Sequence, residues 1–336
     1  MHTLKPNVIK SRLILILFLI SVISCDKGEP RPGFSDEPTS PYNDPVCHPS
    51  GELIGFNHIP IKEIHYSYGY DKPGMATYIY ETDSAGFWLI NSDGTNQRRV
   101  LPYTLGTPSW SPDGNWIAFS QGAQIFKMPF NGSNFDTTKI QQLTDKGRNN
   151  FPSWSPDGEW ISYSSSKDSP TGLKFIWKMR NDGSKKKRIT FTPDQGETIM
   201  PYWRNDFKII HARYLGIGST EIFMMDSAGN ESFRLTNNDM DEWIPRTSPD
   251  GNKIAFISTP KPEGGVFLYT IDADGTNINQ LSSTWITNFS WSPDNKIVYL
   301  NFNYKRIDPT QGTLWIMDAD GTNQRQLTHN NFKTTQ

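Results

Sequence analysis

Five histidines follow residue 24: His48, His58, His65, His211 and His329. Imidazoles are common metal ligands and general bases, so chemistry is sought there first. No two of them have the i, i+4 spacing of a helical zinc motif. Metal-assisted lyase chemistry would need His58, His65 or His211 to converge with carboxylates across a central face. The stretch "DADGTN", at 272–277 and again at 318–323, invites calcium. A calcium loop, however, needs D-x-D-x-[DN]-G closed by a distant Glu; here Gly arrives two positions early and no Glu follows. No G-x-S-x-G elbow offers a nucleophile, and no Gly-rich loop between strand and helix offers a phosphate cradle. The residues therefore predict no catalytic group, no metal and no cofactor.

Of the two cysteines, Cys25 has the more telling surroundings. Lys5, Lys10 and Arg12 precede "LILILFLISVI" (13–23), an apolar run too short to span a ~30 Å hydrocarbon layer, and Ser24 and Cys25 follow it. This is the layout of an export signal. "VISC" (22–25) resembles the lipobox of bacterial lipoproteins, which implies cleavage before Cys25 and acylation of its thiol. Residues 1–24 are then a signal peptide and Cys25 the attachment point to membrane lipid, each buried methylene adding ~0.8 kcal/mol to the anchor. Residues 25–44, Pro-rich and polar, form a tether. Only Cys47 would remain free, so no internal disulfide is available. Losing the signal removes three of the 33 basic residues and no acid, taking the formal charge from −2 to −5. That balance argues against a nucleic-acid partner.

What positions these residues is a repeat. "SWSPDG" stands at 109–114 and again at 153–158, with "TSPDG" at 247–251 and "SWSPDN" at 290–295. Weaker relatives are "VCHPSG" (46–51) and "YWRND" (202–206), making six copies. A proline lies two residues before the Trp slot at Pro45, Pro108, Pro152, Pro201 and Pro245, and Phe289 replaces it in the last copy. A second series is Gly94, Gly132, Gly183, Gly229, Gly275 and Gly321. Each follows an aromatic by six residues, and all but Gly132 precede an aliphatic by six. In S-P-D-G, Pro suits position i+1 of a type I turn and Gly the left-handed residue that closes a hairpin. Apolar residues two apart then mark one face of a strand, as at Ile117 and Phe119. Four short antiparallel strands per unit, six times over, predict a six-bladed all-β propeller.

The unit P-x-W-S-P-D-G-x-x-I-A-F … I-W-x-M-D-x-D-G-x-x-x-x-x-L-T resembles the TolB-type, WD40-like β-propeller repeat. The resemblance covers residues 45–330 and leaves 331–336 as a C-terminal tail. It implies an envelope protein that works in a complex. Residues 26–44 are too short for the α/β domain that precedes the propeller in TolB proteins. The same repeat builds propellers of prolyl-oligopeptidase-type peptidases and of some oligogalacturonate lyases, so fold alone does not decide function. Each copy begins with its own first strand and ends with its own fourth. Contiguous blades without strand exchange at the closure are therefore expected.

Both kinds of tight turn must lie on one face, so the variable loops emerge on the other, where binding residues concentrate. The first copy carries an insertion, "IHYSYGYDKPGMATYIYETDSAG" (64–86), with Tyr66, Tyr68 and Tyr70. It is either a recognition element, since Tyr combines an apolar body with a hydroxyl, or an extra hairpin packed on the rim. Arg148, Glu197, Glu242, Trp243, Trp285, Tyr304 and Arg306 fall on the same face and complete the candidate partner-binding set. Mixed charge among aromatics suits a protein partner. A glycan partner, bound or cleaved with a metal, is the alternative.

Overall fold

The S-P-D-G turns close through their own side chains. Ser111 Oγ donates to Asp113 Oδ1 at 2.5 Å and accepts from the Trp116 N–H at 3.0 Å. The same Ser–Asp bond recurs at Ser155/Asp157, Ser248/Asp250 and Ser292/Asp294. "DADGTN" is equally self-contained: Asp274 Oδ1 accepts from the Thr276 N–H at 2.9 Å and from its hydroxyl at 2.7 Å, while Asn277 Nδ2 donates to Asp272 Oδ2. The aspartates are used by hairpin turns.

The computed structural model describes residues 41–67, 75–191, 196–216, 219–230, 233–260, 265–302, 312–331 and 333–335. Among these, six four-stranded antiparallel sheets follow one another along the chain. They span residues 42–101, 106–142, 149–188, 198–234, 241–280 and 285–326, here called blades 1 to 6. No strand is exchanged between them; each sheet is one contiguous stretch of chain. The apolar core lies between blades. Ala118, Ile125 and Leu143 of blade 2 pack on Trp154, Ile161, Tyr163 and Trp177 of blade 3. Tyr42, Ile54 and Phe56 of blade 1 pack on Val298, Leu314 and Ile316 of blade 6.

The recurrent proline marks a bulge. The first strand of every blade slips register against the second in mid-strand, as between Asn150 and Ser153. In five blades the residue before the proline has positive φ: Asp44 (48°), Thr107 (44°), Phe151 (54°), Met200 (57°) and Ile244 (54°). For β-branched Thr107 and Ile244 this is strained backbone. In blades 3 and 4 the distortion turns the N–H of the positive-φ residue toward the preceding blade, Phe151 N–H to Thr107 Oγ1 at 3.1 Å and Met200 N–H to Ser164 Oγ at 2.9 Å. In blade 6, where Phe289 replaces proline, the bulge persists without positive φ at Asn288.

The turn glycines and the aliphatics that follow them meet across the joints. A Cβ on Gly183, Gly229, Gly275 or Gly321 would lie within 3.2 Å of the carbonyl oxygen of Leu143, Ile189, Leu235 or Leu281 in the preceding blade. Gly94 of blade 1 meets Leu327 of blade 6 in the same way, so the ring closes with the contact it uses elsewhere. Side chains add to the closure: the Cys47 N–H donates to Ser290 Oγ (3.2 Å), Asn288 Nδ2 to Asp44 Oδ1 (3.0 Å), and Arg325 to the carbonyls of Asp93 and Ser92.

The insertion of blade 1 forms a hairpin, Ile61–Ser67 with Met75–Tyr80. The chain end adds a short strand to it, Lys333–Thr335 running parallel to Ile61–Ser67. The tail thus pairs outside the blades, a contact its short polar sequence does not announce.

Candidate partner-binding face

Opposite the tight turns, the loops entering each blade are stitched to those inside the blades. Arg148 N–H donates to Ser166 Oγ at 2.9 Å, and Thr198 N–H to Lys174 O at 3.1 Å. Glu197 accepts twice, at its carboxylate from Lys174 N–H and at its carbonyl from Tyr214 N–H, both at 2.9 Å. Asp241 Oδ1 holds the Thr220 N–H at 2.9 Å. Loops bonded in this way form a fixed surface rather than a loose fringe.

Around this face stand Arg148, exposed, and Glu197, Trp243 and Trp285, each partly buried. They belong to the entries of blades 3, 4, 5 and 6, so they encircle the face without sharing one pocket. Tyr66 lies in the hairpin strand Ile61–Ser67, opposite Ala76. Tyr68, Tyr70, Tyr304, Arg306 and Cys25 fall outside the described residues.

Glu242 departs from the partner-binding position expected of it. It is the second residue of strand Asp241–Thr247, fully buried at the joint between blades 4 and 5, and cannot touch a partner directly. At the joints that follow blades 2 to 6 the Thr or Ser ending the blade accepts from the third strand of that blade. Examples are Ile125 N–H to Thr144 Oγ1 (2.8 Å), Ile176 N–H to Thr190 Oγ1 (2.9 Å) and Ile222 N–H to Thr236 Oγ1 (2.9 Å). At the blade 2–3 joint the neighbours of that hydroxyl are neutral, Gln124 and Asn149, bonded to each other at 2.9 Å. At the blade 4–5 joint they are two fully buried carboxyls, Glu221 and Glu242. Arg234 Nη2 pairs with Glu221 Oε1 at 2.5 Å, and the Thr236 hydroxyl donates to Glu242 Oε2 at 3.3 Å. Burial, then the charge of Glu221, pushes the Glu242 carboxyl up to about 8, with Asp241 adding to the rise.

The first strands of blades 2 to 5 line a central channel, with Thr107, Phe151, Met200 and Arg246 in its wall, and a polar group absent from the candidate set lies beside Arg246. Asp44 accepts from Asn57 Nδ2 and Asn288 Nδ2, both at 3.0 Å, and burial raises its pKa. Arg246 faces it electrostatically and lies over the Tyr202 ring, 5.6 Å from its centroid. The sequence signal was the position: Arg246 occupies the slot before the Trp position, where Val46, Ser109, Ser153 and Ser290 stand in other copies. Exposed apolar groups were missed as well. Phe191 is 64% exposed, and Tyr214 and Leu215 are 39% exposed each, all where blades 3 and 4 present this face.

His58 and His211 serve packing. His58 stacks on Tyr42 at 4.0 Å, bonds Pro41 O through Nδ1 at 2.7 Å, and is pushed down to about 4 by burial. His211 stacks on Phe223 at 5.9 Å and is likewise lowered to about 4. Among the described residues no three His, Cys, Asp or Glu side chains are grouped to hold a metal. Burial pushes the Cys47 thiol up to about 12, consistent with an inert packing residue.

Residues 91–336 match the TolB beta propeller domain family. A TolB homologue of Chlorobium chlorochromatii is 35% identical over 71 residues, 21% of this chain and 16% of that protein. The chain spans less than half the length of the curated relatives it matches. Among solved structures, TolB from Acinetobacter baumannii superimposes with a TM-score of 0.60 at 23% identity, covering 83% of this chain and 61% of that one. An oligogalacturonate lyase in complex with manganese gives 0.54 at 10% identity, covering 86% and 77%, a likeness of fold alone. With the family match running through five of the six blades, the chain belongs to the TolB beta propeller domain family.

Proposed function

We propose that this chain is a cell-envelope lipoprotein whose propeller is a non-catalytic scaffold, binding a protein partner through the variable-loop face while acylated Cys25 holds it to a membrane. The observation that carries the reading is the exposure of Tyr214 and Leu215 on a face whose loops are hydrogen-bonded to one another, with Arg148, Glu197, Trp243 and Trp285 around it. Apolar anchors ringed by mixed charge suit a protein interface. Family membership and the TolB name of its relatives favour an envelope complex. Tyr66, Tyr68, Tyr70, Tyr304 and Arg306 extend the surface in this reading, and Glu242 supports it from beneath.

The test is a pull-down from crosslinked envelopes, identifying proteins and glycans alike. Wild type is run beside Leu215→Ser/Trp243→Ala and beside Tyr66→Ala/Tyr68→Ala/Tyr70→Ala. A protein partner lost in the first variant supports the face. Loss in the second extends the site to the hairpin. Recovery of glycan alone would replace the protein reading with the carbohydrate alternative. Label from radioactive fatty acid that disappears in Cys25→Ala checks the anchor separately.

A further inference from the structure

The outer edge of blade 3 is unlike the other five. Its edge strand and the turn before it carry Lys185, Lys186, Lys187 and Arg188 in succession. The corresponding strands Gln141–Gln142, Phe233–Arg234, Asn279–Gln280 and Arg325–Gln326 hold one cation at most, and Arg98–Leu101 holds two. An edge strand needs only a charge or so to discourage pairing with another sheet. Four cations on a chain of formal net charge −2 exceed that need.

The charge is poorly neutralised. Lys185 and Lys187 are exposed, and among the described residues none of the four makes an ion pair. The acids nearby are engaged elsewhere: Glu159 with Arg180, Asp182 with the Ser184 N–H, and Asp168, which faces Arg188, with Lys167. Lys187 even helps to depress the pKa of Lys178 on the adjacent strand, after burial. An apolar group continues the strip. Arg188 lies 3.5 Å from the Phe175 ring centroid and 5.5 Å from that of Phe191, the most exposed large apolar side chain described.

We propose that this edge docks on an anionic membrane surface, with Lys185, Lys186, Lys187 and Arg188 meeting lipid phosphates and Phe191 entering the interfacial layer. Flexible ammonium groups impose no fixed donor geometry, which suits a fluid array of phosphates better than one shaped acidic site. An aromatic beside cations is the composition of a membrane-interface anchor. The inference rests on the envelope reading only for bringing the chain to lipid.

The full chain is added to vesicles of phosphatidylcholine or of phosphatidylglycerol. Bound fraction and the rate of lysine acetylation across 184–190 are read by mass spectrometry. The acetylation rate should fall several-fold on phosphatidylglycerol relative to phosphatidylcholine, and high salt should abolish the difference. Lys185→Glu/Lys187→Glu keeps the edge charged against sheet pairing, yet should remove the protection of Lys186. At roughly 1 kcal/mol per cation, its binding through this edge should weaken at least about tenfold. Binding to both lipids with equal acetylation overturns the docking edge and leaves the anchor standing. Binding to phosphatidylglycerol alone supports the edge and removes the anchor. Binding to neither overturns both.

Discussion

Glu242 shows how a single residue can be misjudged from its neighbours in sequence. "NNDMDEW" has the composition of a solvated loop, yet its Glu is buried where two blades meet. A carboxyl whose pKa rises on folding binds more protons in the folded state. Its contribution is complete below the unfolded value and is lost as pH rises through the folded one. Stability should therefore decline between the ordinary carboxyl range and about 8, where Glu242 ionises beside Glu221. Urea unfolding across that window should show the decline in wild type and a flatter profile in Glu242→Gln. The variant should gain on the order of 1–3 kcal/mol at the alkaline end. The blade 2–3 joint already holds a Gln–Asn pair at these positions, so the amide has a precedent in the same molecule. A wild-type profile as flat as the variant's would mean that the carboxyl ionises without penalty.

At the scale of strands and turns, each regularity has a contact behind it. Gly229 has φ +92°, and a Cβ there would stand 1.9 Å from Ile189 O; Gly132 has φ +90° but nothing within 4 Å. Gly132→Ala should cost about 1 kcal/mol from backbone conformation alone. Gly229→Ala should cost roughly 3 kcal/mol or more, because the blade 3–4 joint must also move. Similar losses in thermal unfolding would show that φ, not the joint, sets the need for glycine. The glycine spacing was legible in the sequence, as were the S-P-D-G turns, because both obey local turn chemistry. Their purpose was not, since the atom that excludes a Cβ belongs to the preceding blade, some forty residues away in sequence. The prolines were equally visible while the bulges they mark were hidden, for bulging depends on pairing. Arg246 and Phe191 were passed over for a related reason: only the ring turns one toward the channel and leaves the other uncovered.

For the whole molecule, the open question is what replaces a shared strand at the closure. Blade 6 meets blade 1 through an apolar joint like the others, and through polar contacts from Asn288, Ser290 and Arg325. None of these ties is covalent, and the one sheet ladder across the closure is the short parallel pairing of Lys333–Thr335 with Ile61–Ser67, so the closure should be the place where the ring first opens. Each net hydrogen bond contributes about 1 kcal/mol. Asn288→Ala with Arg325→Ala should thus raise local opening of blades 1 and 6 by on the order of tenfold or more. Native-state hydrogen exchange reads this directly. The Ile54 and Leu300 amides, in second strands flanking the closure, should exchange faster, while that of Ile161 in blade 3 keeps its protection. If all three accelerate together, the blades open as one cooperative unit and the closure is no weaker than any other joint. If Ile54 alone responds, blade 1 peels off with its hairpin, and the parallel strand Lys333–Thr335 does not hold it to the end of the chain.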